Sequence, residues 1–234
     1  MKLQDATVFI TGANRGLGLA FARHALANGA RKVYGAARDP NTITLPGLVP
    51  IALDVTSPSQ VAAAASDCGD VTLVVNNAGI ASVKGLLEED SIAATARMME
   101  TNVYGLLRVS QAFAPVLRAN GGGALLNVLS VGSWLSSPIL AAYAASKAAA
   151  WSATNGLRNE LRAQGTQVLG LHVGFIDTDL TTGLEVPKLA PGFVAERAFA
   201  ALENGDSEVA IDEFTRQIKR GLSNEPGIYI DFAR

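Results

Sequence analysis

The chain is poor in the residues that build metal centres and covalent cross-links. Its 234 residues include one cysteine, Cys68, and two histidines, His24 and His172. A single cysteine cannot close an internal disulfide, and two histidines far apart in sequence make no metal-ligand cluster. All three read as packing or surface residues without chemistry. Charge is also scarce. Charged residues make up 17% and the formal net charge is −2, which gives no electrostatic case for a nucleic acid or an anionic membrane as partner. No apolar run approaches the roughly 18 residues needed to cross a bilayer. The opening MKLQDATVFI shows no apolar signal core followed by a cleavage site. These absences point to a soluble protein of a reducing compartment, the cytoplasm, with neither metal nor membrane nor nucleic acid.

What is present is apolar and alternating. Hydrophobic residues make up 49%, enough for a sizeable core. Short β-branched runs at 6–11, 32–37, 49–54, 71–77, 123–130, 166–173 and 207–212 read as strands, most of them apolar on both faces as buried parallel strands are. Between them, helical patterns occupy about 16–28, 57–67, 91–119, 141–163, 191–203 and 213–220. Alternation of this kind predicts an α/β fold: a doubly wound parallel sheet of about seven strands, helices on both faces, with right-handed crossovers. No linker or repeat divides 1–234, so a single domain is expected. The stretch 178–190, TDLTTGLEVPKLA, has turn residues and weak periodicity and reads as a substrate lid loop.

Directly after the first strand, TGANRGLG places glycines at Gly12, Gly16 and Gly18. Glycines here permit a tight turn and let main-chain N–H groups approach a pyrophosphate at a helix N-terminus. About twenty residues later, the end of the second strand reads the adenosine ribose. An acid there would bond the 2′-hydroxyl of NAD. This chain has Arg38 followed by Asp39. The Arg38 guanidinium suits a 2′-phosphate, and Arg15 in the glycine loop could reach the same group. The pair favours NADP(H), with NAD(H) as the alternative should Asp39 turn toward the ribose.

In PILAAYAASKAAAWSA, residues 138–153, Tyr143 and Lys147 stand four apart. That spacing stacks them on one helical face. Such a pair is either an exposed accident or a phenol whose acidity a neighbouring ammonium adjusts.

Taken in order, TGANRGLG, the LDVT that supplies Asp54, NNAG at 76–79, Asn102 in TNVYG, Ser130 thirteen residues before Tyr143, and YAASK resemble the short-chain dehydrogenase/reductase family, over about Thr7 to Leu180. The resemblance implies a Rossmann-type sheet and a catalytic set of Asn102, Ser130, Tyr143 and Lys147. In it, Tyr143 exchanges a proton with the substrate oxygen and Ser130 hydrogen-bonds that oxygen. Lys147 lowers the phenol pKa and holds the nicotinamide ribose, and Asn102 holds a relaying water. It further implies a cofactor site of Gly12, Asn14, Arg15, Gly16, Leu17, Gly18, Arg38, Asp54, Val55, Asn77, Ala78, Gly79, Tyr143, Lys147, Gly174, Ile176 and Thr178. One departure stands out: Val173-Gly174 replaces the family's usual Pro-Gly after strand six, loosening the chain's exit toward the lid.

The family's substrate wall, carried onto this chain, comprises Ser130, Val131, Trp134, Leu135, Pro138, Ile139, Leu140, Phe175, Leu180 and Leu184. An almost wholly apolar wall can neither pair nor cheaply desolvate a charge. The expected activity is therefore an NADP(H)-dependent carbonyl reductase or alcohol dehydrogenase for uncharged, hydrophobic substrates, assembled as a homo-oligomer (dimer or tetramer). A 3-oxoacyl-carrier-protein reductase is the alternative within the class, although no basic docking patch is evident. A non-catalytic dinucleotide-sensing regulator is the alternative outside it, but such a protein would typically lack Tyr143 or Lys147. Too little chain follows Leu180 for the separate substrate domain of the extended epimerases.

Overall fold

In the computed structural model, which describes residues 1–230, the seven expected strands all form. They are β1 (Thr7–Thr11), β2 (Lys32–Ala37), β3 (Leu48–Ala52), β4 (Leu73–Asn76), β5 (Ala124–Val128), β6 (Gln167–His172) and β7 (Glu208–Ala210). They pair in parallel in the order β3-β2-β1-β4-β5-β6-β7. The order reverses between β1 and β4, and a crevice opens there at the carboxyl ends of the strands. The helices are α1 (Gly16–Ala27), α2 (Pro58–Asp67), α3 (Ser91–Met99), α4 (Leu106–Ala119), α5 (Ala141–Leu161), α6 (Pro191–Glu203) and α7 (Glu213–Gly221).

Because successive side chains of a strand point to opposite faces, β1 feeds two cores at once. Val8 and Ile10 pack with Phe21 of α1 and Phe199 of α6 on one face. Phe9 packs with Val61 of α2, Phe113 of α4 and Leu157 of α5 on the other. Phe9 and Phe113 meet at 4.5 Å between ring centroids. The edge strands β3 and β7 are the exceptions to burial on both faces, β3 the more exposed. Strand β3 lies at the sheet edge, partly exposed, where Pro50 interrupts no further ladder.

The helical stretch expected over 91–119 is interrupted. Between α3 and α4 the chain widens into a π-helical turn, Glu100–Gly105. A close approach holds it: a Cβ on Gly105 would lie 2.7 Å from Val55 Cγ2. The lid is less loose than its composition suggests. Its base is closed by Leu189 N–H to Phe175 O and Asp177 N–H to Leu189 O, both 2.9 Å, and a short turn spans Asp179–Thr181. The exit from β6 lacks proline but is tied down by hydrogen bonds. Val131 N–H donates to Val173 O at 2.9 Å, and Gly174 N–H donates to Asp212 Oδ2 at 2.9 Å.

Candidate active site

A cleft of about 820 Å³ runs along the carboxyl ends of the strands, from Arg38 and Asp54 past the glycine loop to Ser130, Tyr143 and the lid. Its floor is stitched by polar main-chain contacts. Thr11 Oγ1 accepts from the N–H groups of Asn77 (3.0 Å) and Ala78 (2.9 Å), and Asn77 Nδ2 donates to Thr11 O (2.9 Å). The turn after β4 is thereby locked to the end of β1.

In the glycine loop, Gly12 sits at φ +67° and Gly16 at φ +54°, the left-handed region that glycine enters without strain. Asn14, Arg15, Leu17, Asp54, Val55, Asn77, Ala78, Gly79, Gly174, Ile176 and Thr178 all line the cleft, as expected of a cofactor site. Gly18 does not. A Cβ there would fall 2.0 Å from Gly12 O, so its task is to let α1 press against the loop rather than to touch a ligand. Main-chain donors at the start of α1, a glycine-rich turn and an elongated cleft fit a dinucleotide.

At the outer end, the Asp54 carboxyl is held below its ordinary value by hydrogen bonds from Thr56 N (2.9 Å) and Thr56 Oγ1 (2.8 Å), with a smaller contribution from the Arg38 charge. Arg38 is exposed on the rim. Asp39, the residue that could have turned the site toward NAD, accepts from Asn41 N and Asn41 Nδ2, both at 3.0 Å, and so caps the turn Pro40–Thr42. Arg15 pairs with Asp179 of the lid at 2.8 Å. An ionic contact therefore bridges the glycine loop and the lid.

At the inner end, α5 brings Tyr143 and Lys147 beneath β5, whose last turn presents Ser130. Ser130 Oγ accepts from Gly132 N–H at 3.0 Å and lines the same end of the cleft as Tyr143, whose phenol it helps to acidify. Lys147 is buried and donates to Val128 O at 2.8 Å, its Nζ 5.8 Å from the Tyr143 ring centre. Burial works against the expected acidification of the phenol. Burial pushes Tyr143 up to about 12, opposed only by the Ser130 hydrogen bond, and brings Lys147 down to about 8. Desolvation penalises both charged forms, and the ammonium rests against a carbonyl rather than against the phenol oxygen. Neutral tyrosine is the stable form, a proton donor ready for a carbonyl oxygen.

Asn102 lies just behind the cleft wall, near Lys147 across Gly79. Its side chain is wholly spent inside the protein: Oδ1 accepts from Ile80 N at 2.8 Å, and Nδ2 donates to Ile80 O (2.9 Å) and Ser146 Oγ (3.0 Å). It is absent from the cleft wall, where its neighbour Thr101 appears. The amide shapes the π-turn and the strand-four exit.

The substrate end is walled by Val131, Leu135, Leu140, Phe175, Leu180 and Leu184, as expected, but Trp134, Pro138 and Ile139 lie outside it. Trp134 was the largest miss. Its indole is stacked on His172, with centroids 3.8 Å apart and planes at 15°, and meets Trp151 edge-on. The 3₁₀ turn Val131–Ser133 turns the ring toward β6 and brings Leu135 to the cleft instead. Sequence reasoning overlooked Phe214. It reaches the same wall from the first turn of α7, seventy-one residues beyond Tyr143, with no local pattern to announce it.

The pattern of the short chain dehydrogenase family matches residues 6–188. The chain belongs to that family and is an oxidoreductase of CH–OH groups. It is 34% identical over 218 residues to Oxidoreductase BOA17 of Botryotinia fuckeliana, covering 87% of this chain and 79% of the relative. It is also 34% identical over 200 residues to galactitol 2-dehydrogenase (L-tagatose-forming) of Cereibacter sphaeroides, covering 80% and 78%. A short chain dehydrogenase of Burkholderia cenocepacia, solved in complex with NADP, superposes with TM-score 0.93 at 37% identity over 97% of this chain and 96% of the other.

Proposed function

We propose that the chain is an NADP(H)-dependent reductase of uncharged, hydrophobic ketones and aldehydes, working also in the alcohol-oxidising direction. The observation that carries the reading is the composition of the cleft beyond Ser130 and Tyr143. Leu135, Leu140, Phe175, Leu180, Leu184 and Phe214 form its wall, and the basic residues nearest it among the lining, Lys147 and Arg15, are both engaged, Arg15 by Asp179 of the lid. Lys147 is itself committed to Val128 O. Apolar walls favour methylenes and rings at roughly 0.8 kcal/mol per buried CH₂ and reject a carboxylate or phosphate that finds no partner.

Residues of the glycine loop, Asp54, Asn77–Gly79 and Thr178 would hold the dinucleotide. Arg38 would face a 2′-phosphate, joined by Arg15 once it leaves Asp179, a reading supported by the employment of Asp39 as a cap and by the NADP bound to the Burkholderia relative. The nicotinamide supplies hydride in the reducing direction and accepts it in the other. The protein's own residues handle the oxygen. Ser130 and Tyr143 line the same end of the cleft, so a carbonyl oxygen bound between their hydroxyls would receive two hydrogen bonds, and the charge that grows on it would be met by the phenolic proton. Burial keeps that proton on Tyr143 until the oxygen takes it. The apolar wall excludes water from the reacting carbonyl.

The same reading takes the enzyme as a cytoplasmic homo-oligomer. None of the helices among the described residues is long and apolar enough to cross a membrane. The polyol name of one relative marks the competing substrate class. Comparison of kcat/KM across neutral aryl and alkyl ketones, sugars and 2-oxo acids, with NADPH and with NADH, tests the proposal. Highest values for neutral ketones with NADPH are expected, and higher values for sugars or oxo acids would overturn the substrate assignment.

A further inference from the structure

His172 ends β6, is fully buried, and belongs to none of the motifs above. Its Nδ1 lies 3.0 Å from the main-chain oxygen of Ser130, and its Nε2 lies 3.1 Å from Glu208 Oε1. A peptide oxygen and a carboxylate only accept, so both ring nitrogens must donate. A neutral imidazole has one N–H, and the lone pair of this fully buried ring would oppose one of these acceptors. The partner is suited to a cation. Burial alone would raise the Glu208 carboxyl, but hydrogen bonds from His172 and Lys219 outweigh it and bring the group down to about 2. Trp151 Nε1–H adds a third donor at 2.9 Å. The Trp134 ring, against which His172 stacks, also has the Lys219 ammonium 5.6 Å from its centre, so the indole face meets positive charge.

The contacts of His172 fall on both ends of the loop that carries the serine. It holds the carbonyl of Ser130 and the ring of Trp134, while Val131 N–H is tied to Val173 O next to it on the same strand. We propose that His172 is a positioning residue for Ser130: a buried imidazolium, paired with Glu208 and stacked on Trp134, that fixes the Ser130 peptide and thereby aims Oγ at the substrate oxygen. The role rests on Ser130 and Tyr143 being the reacting pair. Other charges near the cluster are Arg158 of α5, which bonds Ser207 O at 2.8 Å and is coupled to Glu208, and Asp212, which accepts from Gly174 N and Thr215. Tyr143 and Lys147 lie beyond the serine.

Two measurements test this. In ¹H–¹⁵N spectra of the folded protein at pH 7, assigned by difference with His172→Phe or Glu208→Gln, both nitrogens of His172 should resonate as protonated, and a lone-pair nitrogen would overturn the imidazolium. In kinetics, Glu208→Gln and His172→Phe should each lower kcat about 10- to 100-fold, the scale of a misplaced catalytic group, with NADPH affinity unchanged. In a Ser130→Ala background the same substitutions should cost less than about twofold, because a residue acting through Ser130 is not additive with its loss. Equal losses in both backgrounds would show a merely structural role. Should His172→Phe fail to fold, the Glu208→Gln pair completes the cycle. Near-normal turnover by Ser130→Ala alone would overturn the catalytic assignment and the positioning role with it, while the spectrum still answers for the protonation state.

Discussion

The two halves of the cleft are built from different materials. The half from β1 to β4 is made by the main chain: a turn with two left-handed glycines, a helix start pressed against it through Gly18, and peptide groups sewn to Thr11 and Asn77. The half from β5 to β7 is made by side chains contributed by the β5 exit, α5, the lid and α7, with Ser130, Tyr143, Leu184 and Phe214 converging from distant positions. A surface of peptide N–H groups suits a ligand that never changes, and its geometry depends on a few residues in strict local order. A wall of side chains can be altered one residue at a time without disturbing the turn beside it. The contrast explains why relatives that share the first half act on differing substrates by name, a galactitol dehydrogenase among them.

Substitutions on each side should separate the two halves. The largest effect is expected at Tyr143. Its change to Phe removes the proton donor and should lower kcat by at least about 10²-fold while the NADPH dissociation constant, measured by fluorescence titration, stays within about twofold. A matching loss of affinity would mean that the halves are not separable at this residue.

The next effect concerns Lys147, whose pKa burial brings down to about 8. In the unfolded chain a lysine titrates near 10.4, so between these values the unfolded state binds more protons and stability rises with pH. Below about pH 8 the folded protein carries the full desolvation cost; above about 10.5 that cost is gone. Relative to Lys147→Met, wild type should gain on the order of 3 kcal/mol across this window, read by urea denaturation at pH 7 and 10.5. A constant difference would place the lysine in a wetter site than its packing shows.

Arg38→Ala should weaken NADPH by about 1.5–3 kcal/mol and leave NADH nearly unchanged, the value of a hydrogen bond to a charged group. Tighter binding of NADH than NADPH by the wild type would assign the ribose to Asp39. The smallest effect is expected at Leu180, 53% exposed on the lid. Leu180→Ala should lower kcat/KM for a bulky neutral ketone by about fivefold, roughly 1 kcal/mol of apolar contact, and alter neither cofactor constant.

The sequence by itself determined the seven parallel strands, the helices between them and the glycine-rich turn after the first strand, because those features follow from local patterns. Apolar strands alternate with amphipathic helices, glycines stand where the main chain must turn, and Tyr143 and Lys147 share a helical face by their spacing alone. Their protonation was not legible there. Proximity suggested an acidified phenol, but burial, a property of the packed molecule, set the balance the other way. Tertiary structure likewise decided that Asn102 spends its amide on Ile80 and Ser146, that Gly18 serves packing, and that Phe214 completes the substrate wall. It also turned Trp134 away from the cleft and onto His172. In the sequence alone, that histidine reads as a residue without chemistry. Only the convergence of β5, β6 and β7 puts two acceptors against its two nitrogens, and hydrogen-bond demand in a closed space is what gives it a role.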